Sequence, residues 1–301
     1  MKNDKKLMDL KNDYAFKKIF GNEKNKEFLV RFLNDLLKTD IQDIVILNPE
    51  IQPEFYAGKK VLLDVRAKTE DDRKINIEIQ VNDLFDMVNR SLFYLSKGFQ
   101  EDFKKGEGYV SLKKNIVINI LDYNLKENKE NDNFHTSFHW YEDSQKYMLT
   151  DVMEVHFVEL RKWSKKVEEK SLLNLFETDK INIWMAMFNL FKGKKLDKEI
   201  YNALEEVSGG DAFMKNMMSE WEKVSQDEKT WVEYSAREKA LNDEAAIIAE
   251  QEERNKRAIK QRETEIALEM IDAGLNDDMI IRTTKLTKEK IQSLRETQKR
   301  K

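Results

Sequence analysis

The residues best placed to do chemistry are two acids on neighbouring segments of alternating polarity, Asp64 in VLLDVRAK and Glu78 in KINIEIQV. The polar stretch TEDDR joins the two, so the whole reads as a β-hairpin. Successive side chains of a strand point to opposite faces, and parity therefore sorts them. Leu63, Val65, Ala67, Ile75, Ile77, Ile79 and Val81 make an apolar face, while Asp64, Arg66, Lys68, Lys74, Asn76, Glu78 and Gln80 make a polar one. A turn centred on Asp71 pairs Lys68 with Lys74 and Arg66 with Asn76, and sets Asp64 opposite Glu78. A slip by one residue would turn the isoleucines to the wrong face. Opposed carboxylates weaken a ladder unless a cation lies between them. A hard divalent ion such as Mg²⁺ meets that need with one or two carboxylates, several waters and a substrate phosphate. Gln80 points the same way, within reach of that ion's shell. The alternative is a solvent-facing strand pair whose acids Arg66, Lys68 and Lys74 neutralise, the ordinary pattern of a half-buried hairpin.

The flanking sequence supplies elements to hold such a hairpin. Asp13 can cap a helix over YAFKKIF that stops at Gly21, and Phe28, Leu29, Phe32, Leu33, Leu36 and Leu37 recur with helical spacing just after it. IVILNPEIQPEF turns extended, and Pro49 and Pro53, the only prolines, confine it to an edge or a connection. Leu84, Met87, Val88, Leu92, Leu95 and Phe99 form a helical stripe after the hairpin. Asn115 to Leu121 alternates as a strand, followed by weaker extended runs in NFHTSFHWY and EVHFVEL. Beyond Trp163 the pattern is helical. Residues 227 to 273 are rich in charge without a heptad seam, which predicts one long solvated connecting helix. Two short helical signals close the chain after Gly274, the second capped by Thr287.

The succession NDYAFKKIFG, LLDVRAK, INIEIQ and NRSLFYLSKGF resembles the PD-(D/E)XK family of recombination-promoting nucleases and transposases. The likeness extends more loosely through NIVINILDY and EVHFVELRKW to GLNDDMIIRTTKLTKEKIQSL. It implies an α/β fold, a PD-(D/E)XK restriction-endonuclease-like core with a central mixed sheet flanked by helices, carrying an all-helical C-terminal extension. It implies that Asp64, Glu78 and the main-chain carbonyl of Ile79 hold Mg²⁺ or Mn²⁺, and that Gln80 stands where the wider superfamily usually has Lys. Asp13 matches an acidic position on the first helix, to be counted with the catalytic residues; Arg90 and Tyr94 match positions on the helix after the hairpin. Arg90 could clamp a phosphate, or pair with Asp86 one helical turn earlier. The activity implied is metal-dependent DNA endonuclease, linked to recombination or mobile elements. The competing class is a catalytically idle DNA-binding or scaffolding protein of such an element.

The division expected is a nuclease-like domain over 1–165, a helical extension over 166–273 and a basic helix-turn-helix-like element over 274–301. There Lys285, Lys288 and Arg295 are the DNA-contacting candidates, and a hairpin packing on a partner subunit is the alternative. The 301 residues carry a formal charge of -4 with no cysteine. Arg282 to Lys301 holds a net +6, leaving -10 for the rest, a cue for polyanion contact at the end only. No apolar run suits a membrane span or a signal peptide, so no membrane partner is expected and a cytoplasmic location is. Double-strand cutting by one site per chain favours a homodimer. His135 and His139 share a strand face, but zinc lacks a third ligand there.

Overall fold

A computed structural model describes residues 6–51, 61–84, 86–101, 108–168 and 171–299. Pro53, Arg300 and Lys301 lie outside them. The chain forms two compact units, Met1–Leu241 and Asn242–Lys301, whereas the sequence pattern suggests divisions near 165 and 273. Among the described residues, no helix is long and apolar enough to cross a membrane.

The first unit is built on a six-stranded mixed sheet. Its strands are β1 (Ile44–Ile46), β4 (Val65–Thr69), β5 (Lys74–Gln80), β6 (Asn115–Leu121), β7 (His135–Tyr141) and β8 (Met148–Glu159), in the order β1-β4-β5-β6-β8-β7. β2 (Glu50–Ile51) and β3 (Val61–Leu62) pair separately. The β5–β6 and β6–β8 pairings are parallel and the others antiparallel. A parallel pair needs a crossover, and α3 (Met87–Gln100) supplies it between β5 and β6.

Two helices precede the sheet, α1 (Asp13–Phe20) and α2 (Lys26–Leu37). The carboxamide of Asn12 caps α1 by accepting from the Tyr14 amide, so the cap falls one residue before Asp13. Phe16, Ile19 and Phe20 recur at helical spacing and are buried with Ile75, Ile77 and Ile79 of β5 and Ile116, Ile118 and Ile120 of β6. Ring contacts fix α1 further: Phe16 and Phe20 lie 4.8 Å apart, and Phe20 sits 6.0 Å from Trp184. Pairs of this kind contribute about 0.5–1.5 kcal/mol each beyond their buried area. Gly21 ends the helix against β4, where a Cβ would meet the Val65 side chain at 3.3 Å.

The rest of that unit is helical: α4 (Leu160–Val167), α5 (Leu172–Thr178), α6 (Ile181–Phe188), α7 (Lys198–Gly210), α8 (Ala212–Gln226) and the start of α9 (Glu228–Asp272). A small hairpin of β9 (Phe191–Lys192) and β10 (Lys195–Leu196) joins α6 to α7. Leu172, Phe176, Leu204, Met217 and Trp221 share the sheet's core, which is why compactness does not break near 165. In the second unit, α10 (Asp277–Thr284) and α11 (Lys288–Lys299) bury Ile280, Leu286 and Ile291 against Ala267 of α9.

Two local expectations need correction. The polar face of the hairpin is not solvent-facing: Arg66, Lys74, Asn76 and Glu78 are all buried. α3 covers that face, so its inward residues are Met87, Ser91, Tyr94, Leu95 and Gly98, while Leu84 and Leu92 of the apolar stripe are exposed. VLLDVRAK is also not one strand. It breaks at Leu63 and Asp64, and Leu63 crosses to a second core with Tyr94, Leu95, Val117 and Phe157. Gly98 permits the close cover, because a Cβ there would come within 1.8 Å of the Asn115 carboxamide.

Candidate metal centre

The β4–β5 ladder pairs Lys68 with Lys74, Arg66 with Asn76 and Val65 with Ile77. One step further along the same register, just where β4 begins, Asp64 comes level with Glu78. The break before β4 frees the Asp64 side chain to close the ladder's end: its Oδ2 accepts from the Ile79 amide at 2.8 Å. Its Oδ1 lies 2.9 Å from the Lys17 ammonium. Asp64 and Glu78 are 7% and 2% exposed, so two carboxylates share one buried end of the hairpin.

Glu78 is held from one side only. Its Oε2 accepts from Gln80 Nε2 at 3.0 Å and lies 3.6 Å from Arg90 of α3. Its Oε1 is buried with no partner. Asn119, opposite Glu78 in the parallel β5–β6 register, likewise keeps a buried carboxamide Oδ1 without a donor. Cross-strand neighbours in register share a face, so the same patch of sheet leaves two acceptor oxygens unmet. Burial and then the charge of Asp64 push the Glu78 carboxyl up to about 8. Burial raises Asp64 as well, against the pull of Lys17 and the Ile79 amide. Arg90 donates to the Tyr94 hydroxyl at 2.9 Å through one nitrogen and 3.1 Å through another, and burial followed by Glu78 lifts that phenol.

Such an arrangement fits a hard cation. It offers two buried carboxylates, an orphan oxygen on one of them and a backbone segment at Ile79 drawn against the other. Among the described residues no three His, Cys, Asp or Glu side chains stand together as a ready metal cage. An ion with only two carboxylates keeps most of its waters, as Mg²⁺ does.

The hairpin therefore brings Asp64, Glu78, Gln80 and Ile79 together, with Arg90 and Tyr94 reaching in from α3. Asp13 sits one step outside: its carboxylate accepts from Arg237 Nε at 2.7 Å and lies 3.6 Å from Lys17. Lys17 is the site residue that pattern reading misses. Its signal is its place one turn after Asp13, on the helix whose apolar residues must pack against β5. The chain matches the model of the PD-(D/E)XK nuclease family transposase over residues 10–251. The chain belongs to that family. No curated protein and no solved structure matches it in the same comparisons. The mixed sheet with flanking helices agrees with the α/β fold of a PD-(D/E)XK member.

The other candidates lie apart from the hairpin. His135 Nε2 lies 2.9 Å from His156 Nδ1, His156 Nε2 lies 2.8 Å from Glu154, and His139 lies 3.4 Å from Glu154. His139 and His156 thus meet one glutamate, with His135 stacked on His156, but Lys114 already pairs with that glutamate at 2.6 Å. In the second unit Lys285 and Lys288 are exposed, at the end of α10 and the start of α11. Arg295 is engaged within its own unit, with Nε 2.8 Å from Asp277 and a second nitrogen donating to the Leu275 carbonyl at 2.5 Å.

Proposed function

We propose that this family member is a metal-dependent DNA endonuclease that hydrolyses phosphodiester bonds, linked to recombination or mobile-element activity. The observation that carries this is the buried Asp64–Glu78 pair, in which Glu78 Oε1 has no partner. Asp64, Glu78 and the main-chain carbonyl of Ile79 would hold Mg²⁺ or Mn²⁺. When bound, the ion supplies Lewis acidity toward the scissile phosphate and lowers the pKa of a coordinated water. The remaining work falls to the chain. The Ile79 amide fixes one oxygen of Asp64, and Gln80 fixes one oxygen of Glu78, so each acid presents its other oxygen in a set direction. Arg90, braced by Tyr94, brings a guanidinium to the same end of the sheet, suited to a phosphate oxygen. Gln80 donates and accepts hydrogen bonds but carries no charge. Asp13 belongs to the catalytic set at one remove, as the acid beside Lys17.

DNA as the substrate, a cytoplasmic setting and a homodimer for double-strand cutting complete the proposal. Lys285 and Lys288 serve as phosphate contacts, while Arg295 braces the helix pair that carries them. The test is nicking of supercoiled plasmid by wild type and Asp64→Ala with Mg²⁺, Mn²⁺ or EDTA. Metal-dependent nicking that Asp64→Ala abolishes supports it. Silence in wild type would leave an idle DNA-binding or scaffolding protein instead.

A further inference from the structure

Both oxygens of Asp64 are occupied, but by partners of different kinds. The Ile79 amide is fixed in the backbone of β5 and cannot leave without breaking the strand. Lys17 ends a flexible four-carbon stem, is about one-third exposed, and has Asp13 waiting 3.6 Å away. An entering divalent ion would set a second cation beside the same carboxylate oxygen, and two cations so placed repel strongly in a partly buried site. The mobile one must yield. Its ammonium then stays tethered by α1 at the rim of a centre whose substrate carries negative charge.

We propose that Lys17 is an exchangeable counter-ion: it neutralises Asp64 in the metal-free protein, is displaced when a divalent ion binds, and then serves the phosphodiester. The second half rests on the nuclease reading above; the first does not. The geometry explains why α1 is anchored so firmly through Phe16, Ile19 and Phe20 while placing a long, mobile side chain at its edge. It also explains how a motif with uncharged Gln80 obtains a cation for the reacting phosphate: from a helix instead of from β5. Asp13, itself held by Arg237, offers the displaced ammonium a resting partner.

The proposal predicts effects of opposite sign, which a merely structural lysine would not produce. In Lys17→Met, the Mg²⁺ concentration at the midpoint of thermal stabilisation should fall about tenfold or more, because the competing charge is gone. At saturating Mg²⁺ the plasmid-nicking kcat should fall about 100-fold, the usual loss when one donor to a developing negative charge is removed. Lys17→Arg keeps the charge and should recover most of the nicking. Lys17→Met with an unchanged or weaker Mg²⁺ midpoint overturns the counter-ion role. Lys17→Met that nicks like wild type overturns the phosphate role. Wild type that binds Mg²⁺ but never nicks removes the nuclease reading and the phosphate role with it, while the midpoints still decide the exchange. Should Lys17→Met fail to fold without metal, Lys17→Gln gives the same two readouts with a polar chain in its place.

Discussion

Replacing Glu78 with Gln fixes the side chain in the form that the metal-free protein favours, and the consequence can be worked out. The folded carboxyl titrates near 8, against 4.5 for the free side chain, because burial and the Asp64 charge both oppose ionisation. Between those values the native state holds a proton that the unfolded chain has released. Stability must then fall as pH rises, by about 1.4 kcal/mol per unit, or roughly 3 kcal/mol from about pH 5.5 to about pH 7.5. Glu78→Gln lacks that slope. Asp9, which burial raises to about 6 despite Lys11, contributes a slope of the same sign, but it does so in both proteins and cancels in their difference. Urea unfolding in EDTA across this range therefore gives a wild-type-minus-variant curve that descends with pH. Adding Mg²⁺ changes the wild type alone. Its apparent affinity should rise about tenfold per unit below pH 8, because the ion must expel the proton from Glu78. A flat difference curve, or equal Mg²⁺ stabilisation of both proteins, would refute the assignment of Glu78 as the buried ligand.

Two further outcomes test other parts of the chain. Lys162 is buried with its ammonium 2.8 Å from the fully buried Glu159 and 2.7 Å from the Asn128 carbonyl. Lys162→Met leaves Glu159 an uncompensated interior charge and should cost about 3–5 kcal/mol in urea unfolding at neutral pH; a change below 1 kcal/mol (roughly the worth of a surface pair) would contradict it. Replacing exposed Lys285 and Lys288 together with Ala should weaken DNA binding without loss of folding. It should also reduce the slope of log affinity against log salt by about 2, and an unchanged slope would remove both from the DNA contacts.

The parts of the fold that sequence reveals are those where periodicity and register agree. Strand Asn115–Leu121 follows from alternation, and the pairings Lys68–Lys74 and Arg66–Asn76 follow from a turn centred on Asp71, with alternation excluding a slip by one residue. The long helix expected over 227 to 273 is found at Glu228–Asp272. The same alternation misleads about the opposite face. Arg66, Lys74 and Asn76 look like solvent residues, yet each is buried and partnered: Arg66 with the Asn76 carboxamide, the Asn48 carbonyl and Glu101, Lys74 with the Gly98 carbonyl, Asn76 with the Asn115 carboxamide. Parity reports that a face is polar, not that it is wet. Polar residues inside a fold are legible only once the element covering them is placed, and α3 is placed through a glycine whose role the sequence does not advertise. Lys17 is hidden for a similar reason. Nothing in its spacing ties it to Asp64, 47 positions later in the chain; tertiary packing of α1 does.

The amide of Ile79 is spent on Asp64, so one acid of the proposed metal pair is tied to the backbone beside the other. A strand slipped by one residue would send Glu78 to the far face and point a different amide at Asp64. The chemistry is thus conditional on the pairing: a nascent or misregistered chain carries both acids yet has no place for an ion between them. On the proposed nuclease reading such an arrangement brings safety, since the hazard to DNA would arrive only with the completed fold.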